Sequence, residues 1–287
     1  MSIHKISIVL AILAISVTSC QQEDFGGPGT PSSPIESGSV VSLTTTRADG
    51  MVGIAVDAPA TLRAGVWIDL DGDGKRAEDG SEDITAFNIY RDYKLATAKQ
   101  SVSVYGDITY FAAASNELSA LDVSGNPSLQ TLNVPLNGLY TLDLSKNTAL
   151  VRLDVSGNRL SSLNVSQNNA LTTLWAFDNQ LSTLDVSRNS ALAFLDVSGN
   201  SLTSLDVTKN AELSRLLCYN NQLSVLDISQ NSKLNRLWAF DNPFSADETD
   251  RIIASLQAVS QGDLWLSIDP IAAEKANALA LKGWTAN

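Results

Sequence analysis

Residues 150–170 read LVRLDVSGNRLSSLNVSQNNA, one copy of a 21-residue unit. The unit recurs seven times without an insertion between residues 108 and 242. Its copies begin at Ile108, Leu129, Leu150, Leu171, Leu192, Leu213 and Leu234. Each copy follows the pattern L-x-x-L-x-(V/A/C)-x-x-N-x-L and then x-x-L-D-V-S-x-N-x-x. A fixed period of this length indicates a solenoid, because a single coil cannot bury its own apolar edge and must stack on its neighbours.

The repeat resembles leucine-rich repeats, in particular the short coils of internalin-like bacterial surface proteins. The fold class we expect is therefore mainly β, a leucine-rich repeat solenoid of 21-residue coils closed by a cap at each end. The leucines at positions 1, 4 and 11 should point inward, and Cys218 at position 6 is interpreted as a buried core residue, not a nucleophile. Because an unpaired buried amide is costly, the asparagines at position 9 should bond backbone groups in a ladder. They are Asn116, Asn137, Asn158, Asn179, Asn200, Asn221 and Asn242.

The rest of the chain divides around the repeats of residues 108–244. Residues 1–19 hold a basic residue and an apolar run, which predict a lipoprotein signal peptide too short to span a membrane as a helix. Residues 20–38 are rich in Gly, Pro and Ser and predict a lipidated cysteine followed by a flexible linker. Residues 39–107 alternate apolar and polar positions and predict a β cap module. Residues 245–287 combine helical spacing with one strand and predict a C-terminal α/β cap.

The leading segment ends in a short motif that concerns membrane attachment. Val17-Thr18-Ser19-Cys20 resembles a bacterial lipobox, and this resemblance implies cleavage before Cys20 and acylation of its sulfur. An ordinary signal peptide with an incidental cysteine is the alternative. Residues 21–24 (QQED) resemble the acidic export tag of Bacteroidota surface lipoproteins. We therefore expect an outer-membrane lipoprotein exposed on the cell surface, with the lipid as its contact with the membrane.

An acidic loop, DLDGDG at residues 69–74, lies inside the predicted β cap. It matches the first six positions of a calcium-binding loop, in which carboxylates alternate and a glycine permits a sharp turn. The twelfth position, where a bidentate glutamate is expected, is Gly80, so a longer loop would have to supply that ligand. The candidate ligands are Asp69, Asp71, Asp73, the Lys75 carbonyl, and Glu78, Asp79 or Glu82. The alternatives are a structural Ca²⁺ site and a solvated acidic hairpin turn.

Composition excludes several classes of function. The formal net charge of −12 argues against nucleic-acid binding, which needs clustered Lys and Arg. The only histidine, His4, lies in the predicted signal peptide, so the mature chain has no imidazole for a catalytic triad or a zinc site. Carboxylate-only catalysis stays open, but solenoid carboxylates usually form a solvated face, and we expect no enzyme. The two cysteines, Cys20 and Cys218, exclude a framework of disulfides.

The outward positions 3, 5 and 7 of the first half of each coil change character along the repeats. They are mostly small or polar in the first three coils and large in the last four. Large aromatics beside arginine on an exposed sheet have the composition of an interface hot spot. The predicted partner-binding residues are Trp175, Phe177, Phe194, Arg215, Leu217, Tyr219, Arg236, Trp238 and Phe240. The same rings could stack on sugars, and a C-terminal cap folded back over them is a third interpretation.

The second half of each coil contributes an acidic stripe. Its members are Asp122, Asp143, Asp185, Asp206 and Asp227. A cation or glycan site there is open, but we interpret the stripe as a solvated, solubilising face. The function we predict is a surface-tethered lipoprotein that binds a protein partner, as in adhesion, through the sheet face. The alternative is a carbohydrate-binding lipoprotein of a glycan-uptake system.

Overall fold

The computed structural model describes residues 39–97, 100–266 and 272–286. The N-terminal segment contains strands β1 (Val40–Thr45), β2 (Met51–Asp57), β3 (Trp67–Asp69), β4 (Arg91–Lys94) and β5 (Ser101–Tyr105), with a short 3-10 helix at Arg63–Gly65. The first coil holds β6 (Tyr110–Ala112) and β7 (Leu118–Asp122). The following coils hold β8 (Thr131–Asn133), β9 (Arg152–Asp154), β10 (Thr173–Trp175), β11 (Phe194–Asp196), β12 (Arg215–Leu217) and β13 (Arg236–Trp238). The C-terminal segment contains α1 (Ala246–Ser255), β14 (Gly262–Trp265), α2 (Ala273–Leu281) and β15 (Trp284–Ala286).

The protein is a mainly β leucine-rich repeat solenoid, in agreement with the sequence. Each coil adds one three-residue strand to a parallel sheet, and equivalent positions of successive coils lie side by side, as in Leu153 beside Leu174 and Leu174 beside Leu195. The leucines at positions 1, 4 and 11 are buried; Leu150, Leu153 and Leu160 are 0% exposed. Burying this apolar area in a continuous stack is the main stabilising contribution to a solenoid.

The N-terminal segment closes the first coil with two sheets. Strands β3, β5, β1 and β7 form a four-stranded antiparallel sheet, so the second half of the first coil is part of the cap. Strand β2 pairs antiparallel with β6 and with β4, so it extends the solenoid sheet beyond the repeats. The resulting order is β15-β14-β13-β12-β11-β10-β9-β8-β6-β2-β4. The cap therefore pairs the strand edge that the first coil would otherwise expose.

The C-terminal segment adds two further parallel strands. Helix α1 begins at the N-cap Ser245, whose hydroxyl accepts the N–H of Glu248 at 3.1 Å. The buried carboxylate of Glu248 accepts the N–H of Leu226 at 2.8 Å and so fixes the helix to the coil beneath it. The sequence predicted one strand in this segment, but residues 284–286 form a second strand beside β14. Gly283 has φ +80°, and a Cβ there would lie 1.8 Å from the carbonyl oxygen of Val259, so this turn requires glycine.

Two asparagine ladders bond one coil to the next. In the predicted ladder, Nδ2 of Asn158 donates to the carbonyls of Val134 and Val155 at 3.0 and 2.9 Å, while its Oδ1 accepts the N–H of Leu139 at 3.1 Å. A second ladder, at the last asparagine of the repeat, was not predicted. There Nδ2 of Asn189 donates to two carbonyls of the preceding coil, that of Val165 at 3.1 Å and that of Asn168 at 2.8 Å. Its members are Asn147, Asn168, Asn189, Asn210 and Asn231, all buried.

Candidate functional site

The candidate site is the outward side of the solenoid sheet, here called the sheet face, formed by positions 3, 5 and 7 of the coils. Because the strands are parallel and in register, position 5 makes one straight row across the sheet. That row runs Asn133, Asp154, Trp175, Asp196, Leu217, Trp238 and Trp265. The row is rigid, since every strand in it rests on fully buried leucines and is bonded to both neighbours.

The central part of the sheet face carries the aromatic residues that the sequence singled out. Trp175, Phe177 and Phe194 are each half-buried, with part of each ring open to solvent. The Trp175 and Phe194 rings contact each other, with centroids 5.3 Å apart and planes tilted by 45°. Leu217 and Tyr219 are also half-buried, and Arg215 is exposed. These six predicted residues therefore share one accessible surface.

The C-terminal end of the sheet face differs from the expectation in one respect. Phe240 was predicted to be exposed, but it is only 7% exposed, and that expectation is wrong. Its ring is stacked between Tyr219, at 4.6 Å between centroids, and Trp265, at 4.1 Å. The physical reason is that β14 adds one more strand to the sheet and places Trp265 over Phe240. Phe240 is thus a supporting residue of the sheet face and not a contact residue.

Trp238 and Arg236 are held by the same added strand. The indole Nε1 of Trp238 and the Nε of Arg236 both donate to Oδ2 of Asp263, each at 3.0 Å. The Arg236 guanidinium also lies 5.3 Å from the centroid of the Trp238 ring, within the range of a cation–π contact. Trp265 meets Trp238 edge to face at 6.1 Å. Trp238 is consequently half-buried, so the interpretation in which the cap covers the rings is right for Phe240 and partly right for Trp238.

Sequence reasoning missed Trp265, although a signal for it was present. The dipeptide Leu-Trp occurs at 174–175, 237–238 and 264–265, and the first two pairs were already assigned to strands with the tryptophan outward. The third pair lies 27 residues after the second instead of 21, because helix α1 is inserted between them. The break in period concealed the fact that the Leu-Trp pattern continues.

Two carboxylates of the sheet face were also missed. Asp154 and Asp196 occupy position 5 on either side of Trp175. Asp196 is 7% exposed, and its pKa is raised to about 6. Burial is the largest cause, the hydrogen bonds from Ser198 act against it, and the charges of Asp178 and Asp154 add to the rise. The pKa of Asp154 is also raised, mainly by burial. Burial likewise raises the pKa of the neighbouring Tyr219 phenol.

The acidic stripe of the second half-coils has the opposite character. Asp143, Asp185, Asp206 and Asp227 are exposed, and each accepts the N–H of the residue two positions later at 2.9 Å. These hydrogen bonds hold the pKa of each carboxyl below its usual range. The stripe therefore stabilises turns and faces solvent. Its interpretation as a solubilising face stays a prediction.

The acidic loop of the cap brings some of its candidate ligands together. One carboxylate oxygen each from Asp69, Asp71 and Glu82 lies within 4.8 Å of the others, and Asp69 and Glu82 are both 5% exposed. Asp69 accepts the N–H groups of Gly72 at 2.7 Å and Gly74 at 3.0 Å, which folds the loop around the cluster. Among the longer-loop candidates, Glu82 is the carboxylate that joins the cluster.

The other candidate carboxylates, those of Asp73, Glu78 and Asp79, do not join these three. The Asp73 carboxylate accepts the N–H of Lys75 at 2.7 Å, and neither Asp73 nor Glu78 belongs to the cluster of carboxylate oxygens. Among the described residues, the cluster formed by Asp69, Asp71 and Glu82 is the one grouping of three such side chains close enough to hold a metal ion. Oxygen ligands of this kind suit Ca²⁺.

Two further predictions concern the cysteines and the membrane. Cys218 is fully buried in the core, and burial strongly raises the pKa of its thiol, which fits an inert core residue. Cys20 and the rest of residues 1–38 lie outside the described residues, so the signal peptide, the lipid anchor and the linker stay predictions. Within the described part of the chain, no helix has the length and apolar character needed to cross a membrane.

Comparisons with known proteins support the fold. A family model described as the LVIVD repeat matches residues 98–137, and no curated protein matches the chain. Among solved structures, an internalin (inlF) of Listeria monocytogenes is 21% identical, with a TM-score of 0.50, over 57% of this chain and 49% of that one. The functional domain of InlJ from Listeria monocytogenes is 35% identical, with a TM-score of 0.44, over 47% of this chain and 35% of that one.

A leucine-rich repeat protein of Leptospira interrogans, LIC12759, is 28% identical over 47% of this chain and 37% of that one, with a TM-score of 0.45. This chain spans less than half the length of each of these three solved chains. The solved structures similar to this chain are thus internalins and leucine-rich repeat proteins. The likeness to the internalin inlF concerns the solenoid fold.

Proposed function

We propose that this protein is a surface-tethered lipoprotein that binds a protein partner through the sheet face, as an adhesion or interaction protein does. The observation that carries the proposal is the group of half-buried large side chains at the outward positions of three successive coils. Trp175, Phe177, Phe194, Leu217 and Tyr219 leave apolar area open to solvent on a sheet whose other outward positions are mostly polar. Exposed aromatic area of this kind marks interaction surfaces.

The rigidity of the sheet face supports the same conclusion. Both asparagine ladders and the buried leucines fix the strands before any partner arrives, so binding would order few backbone groups. The Trp238 ring is held in one orientation by its hydrogen bond to Asp263 and by its contact with Trp265, which in turn stacks on Phe240. A preorganised surface loses less conformational entropy on association, and more of its contact energy appears as affinity. Solenoid proteins use such extended surfaces for binding.

The proposed attachment rests on the leading segment of the sequence. Cys20 would carry the lipid, residues 21–38 would form the flexible tether, and the solenoid would stand off the outer membrane on the cell surface. The lipobox-like residues 17–20 and the acidic residues after Cys20 support this arrangement. The membrane contact in this arrangement is the lipid, and the sheet face is left for the partner.

We further propose that Asp69, Asp71 and Glu82 bind one structural Ca²⁺. Their oxygens converge within 4.8 Å, and two of the three side chains are nearly fully buried. Three carboxylates so close together repel one another, and a divalent cation would offset that repulsion. The ion would order the loop between β3 and β4 and thereby stabilise the N-terminal cap.

The partner class is tested by comparing proteins and glycans on one array. Purified protein would be applied to extracellular-matrix proteins, cell-surface proteins and glycans printed side by side. We expect binding to a protein, weakened by about 2 kcal/mol or more in Trp175→Ala, as for a hot-spot residue. Asp206→Ala is the matched control, because it alters the acidic stripe and should leave the binding intact. Binding to glycans alone would favour the glycan-uptake alternative, since the same rings can stack on sugars.

A further inference from the structure

The sheet face contains a carboxylate that its own fold leaves partly unpaired. Asp196 lies between Trp175 and Leu217 in the position-5 row, and Phe194 and Ser198 flank it along its own chain. Its Oδ1 accepts two hydrogen bonds, from the N–H of Ser198 at 3.1 Å and from the Ser198 hydroxyl at 2.6 Å. Among the described residues, none donates a hydrogen bond to its Oδ2, and none forms an ion pair with its carboxylate.

Comparison with Asp206, in the second half of the same coil, separates the burial of Asp196 from its hydrogen bonding. Asp206 makes the same two hydrogen bonds, from the N–H of Thr208 at 2.9 Å and from its hydroxyl at 2.6 Å. Asp206 is nevertheless exposed, whereas Asp196 is 7% exposed. The hydrogen bonds are therefore the same, and the two carboxylates differ in their surroundings, since Asp196 lies in the sheet between Trp175 and Leu217. The sheet face has a carboxylate desolvated by its own aromatic surroundings.

Two further carboxylates lie near Asp196. Asp154 lies in the same row on the far side of Trp175, and both Asp154 and Asp178 lie close enough to raise the pKa of Asp196. These three side chains do not bring their oxygens within 4.8 Å of one another, as those of the acidic loop do. A compact metal ion is thus a poor fit, and a larger organic cation can lie between them.

We propose that the partner inserts a cationic side chain, arginine in preference to lysine, beside Trp175 and pairs it with Oδ2 of Asp196. The inference rests on the proposed function and names the chemistry that the partner must present. A guanidinium is planar and weakly hydrated, so it can stack on an indole while it donates to a carboxylate. A charge-assisted hydrogen bond at a desolvated site is about twice as strong as a neutral one. The net charge of −12 further favours a partner with basic character.

The probe for this test is the capped tripeptide acetyl-Gly-Arg-Gly-amide, with its citrulline analogue as the uncharged isostere. Purified, isotope-labelled protein would be titrated with each peptide up to 20 mM, roughly the weak end of ligand affinity. The signals followed are the Ser198 amide and the Trp175 indole. We expect the arginine peptide to shift both signals and the citrulline peptide to bind at least about ten-fold more weakly. Asp196→Asn should abolish the preference for arginine, and Asp206→Asn should retain it.

The possible outcomes separate this proposal from the proposed function. Equal shifts with arginine and citrulline, no shift up to 20 mM, or a preference that survives in Asp196→Asn would overturn the cationic-side-chain proposal. If a protein partner is found whose binding depends on Trp175 but not on Asp196, the proposed function stands and this inference is wrong. If the arginine peptide binds at Asp196 while the array yields only glycans, the assignment of Asp196 as a site for an arginine side chain stands and the protein-binding function is wrong.

Discussion

Replacing Asp196 with asparagine should make the protein more stable at neutral pH. The substitution preserves the shape of the side chain and the oxygen that accepts the two Ser198 hydrogen bonds, but it removes a buried negative charge. The pKa of Asp196 rises from 3.8 to about 6 on folding, mainly because burial disfavours the charged form. At about 1.36 kcal/mol for each pKa unit, ionised Asp196 lowers the free energy of unfolding by about 3 kcal/mol.

The sign of this effect fixes its pH dependence. Above pH 6 the carboxyl is ionised in both the folded and the unfolded chain, and the full cost of burying the charge is present. Below the unfolded pKa of 3.8 it is protonated in both, and the cost disappears. The free energy of unfolding of the Asp196→Asn protein should therefore exceed that of the wild type most at pH 7.5. This difference should shrink as the pH falls to 4.

The assay is urea unfolding of both proteins, followed by circular dichroism at several pH values between 4 and 7.5. The difference in free energy of unfolding between the two proteins reports the titration of Asp196 and its coupling to Asp154 and Asp178. Every other group titrates in both proteins, so its contribution cancels. Asp206→Asn is the control: hydrogen bonds hold the pKa of Asp206 below its usual range, so its replacement should not stabilise the protein at neutral pH. A less stable Asp196→Asn protein at pH 7.5, or a difference that does not change with pH, would refute this reasoning.

Three further predictions concern the ladder, the cap and the anchor. Asn189→Ala should lower the free energy of unfolding by about 1–3 kcal/mol, because it removes two buried hydrogen bonds worth about 0.5–1.5 kcal/mol each, while both carbonyls keep a backbone donor; thermal unfolding measures the loss, and an unchanged melting temperature would contradict it. Calcium should raise the melting temperature relative to chelator, since an ion bound only by the native state stabilises it, and Asp71→Ala should abolish the rise; identical wild-type curves would leave the loop a plain turn. Cys20→Ala should release the protein from the membrane fraction in detergent partitioning, and unchanged partitioning would exclude the lipid anchor.

The repeats could be predicted from sequence because their chemistry is local and periodic. The apolar residues at positions 1 and 4, such as Leu150 and Leu153, have to face inward in every copy. Seven copies therefore determine the stacking, the parallel sheet and the outward positions. The predicted asparagine ladder followed from the cost of a buried amide. The second ladder, at Asn168 and its equivalents, was equally periodic, but its burial depends on how tightly the second half-coils pack. The period shows the repetition of a residue and not how deeply that residue is buried.

The ends of the solenoid were less predictable because their pairings are not periodic. The alternating segments of the N-terminal region correspond to strands β1 to β5, but nothing in the sequence indicates that β2 joins the solenoid sheet while β1 pairs with the second half of the first coil. At the other end, the addition of β14 buries Phe240 and adds Trp265 to the sheet face. Those consequences depend on a contact made across a helical insertion.

The candidate site could be predicted in its composition but not in its electrostatics. The aromatic residues at positions 3, 5 and 7 were visible from the period alone. Asp196 looks in sequence like every other aspartate of the repeat, and its hydrogen bonds match those of Asp206. Its burial results from large side chains on two neighbouring coils, which is a property of the assembled sheet. Three-dimensional packing thus distinguishes a costly carboxylate from a solvated one.

The most direct test of the central claim is photo-crosslinking on intact cells that express the full chain. The photoreactive residue p-benzoylphenylalanine would replace Phe177 on the sheet face, and in a matched control it would replace Tyr140, an exposed aromatic residue of a second half-coil. After irradiation in the native environment, we predict a protease-sensitive adduct of higher mass from position 177 and none from position 140. An adduct from position 140 alone, or adducts of equal yield from both positions, would contradict the assignment of the sheet face as the partner-binding surface.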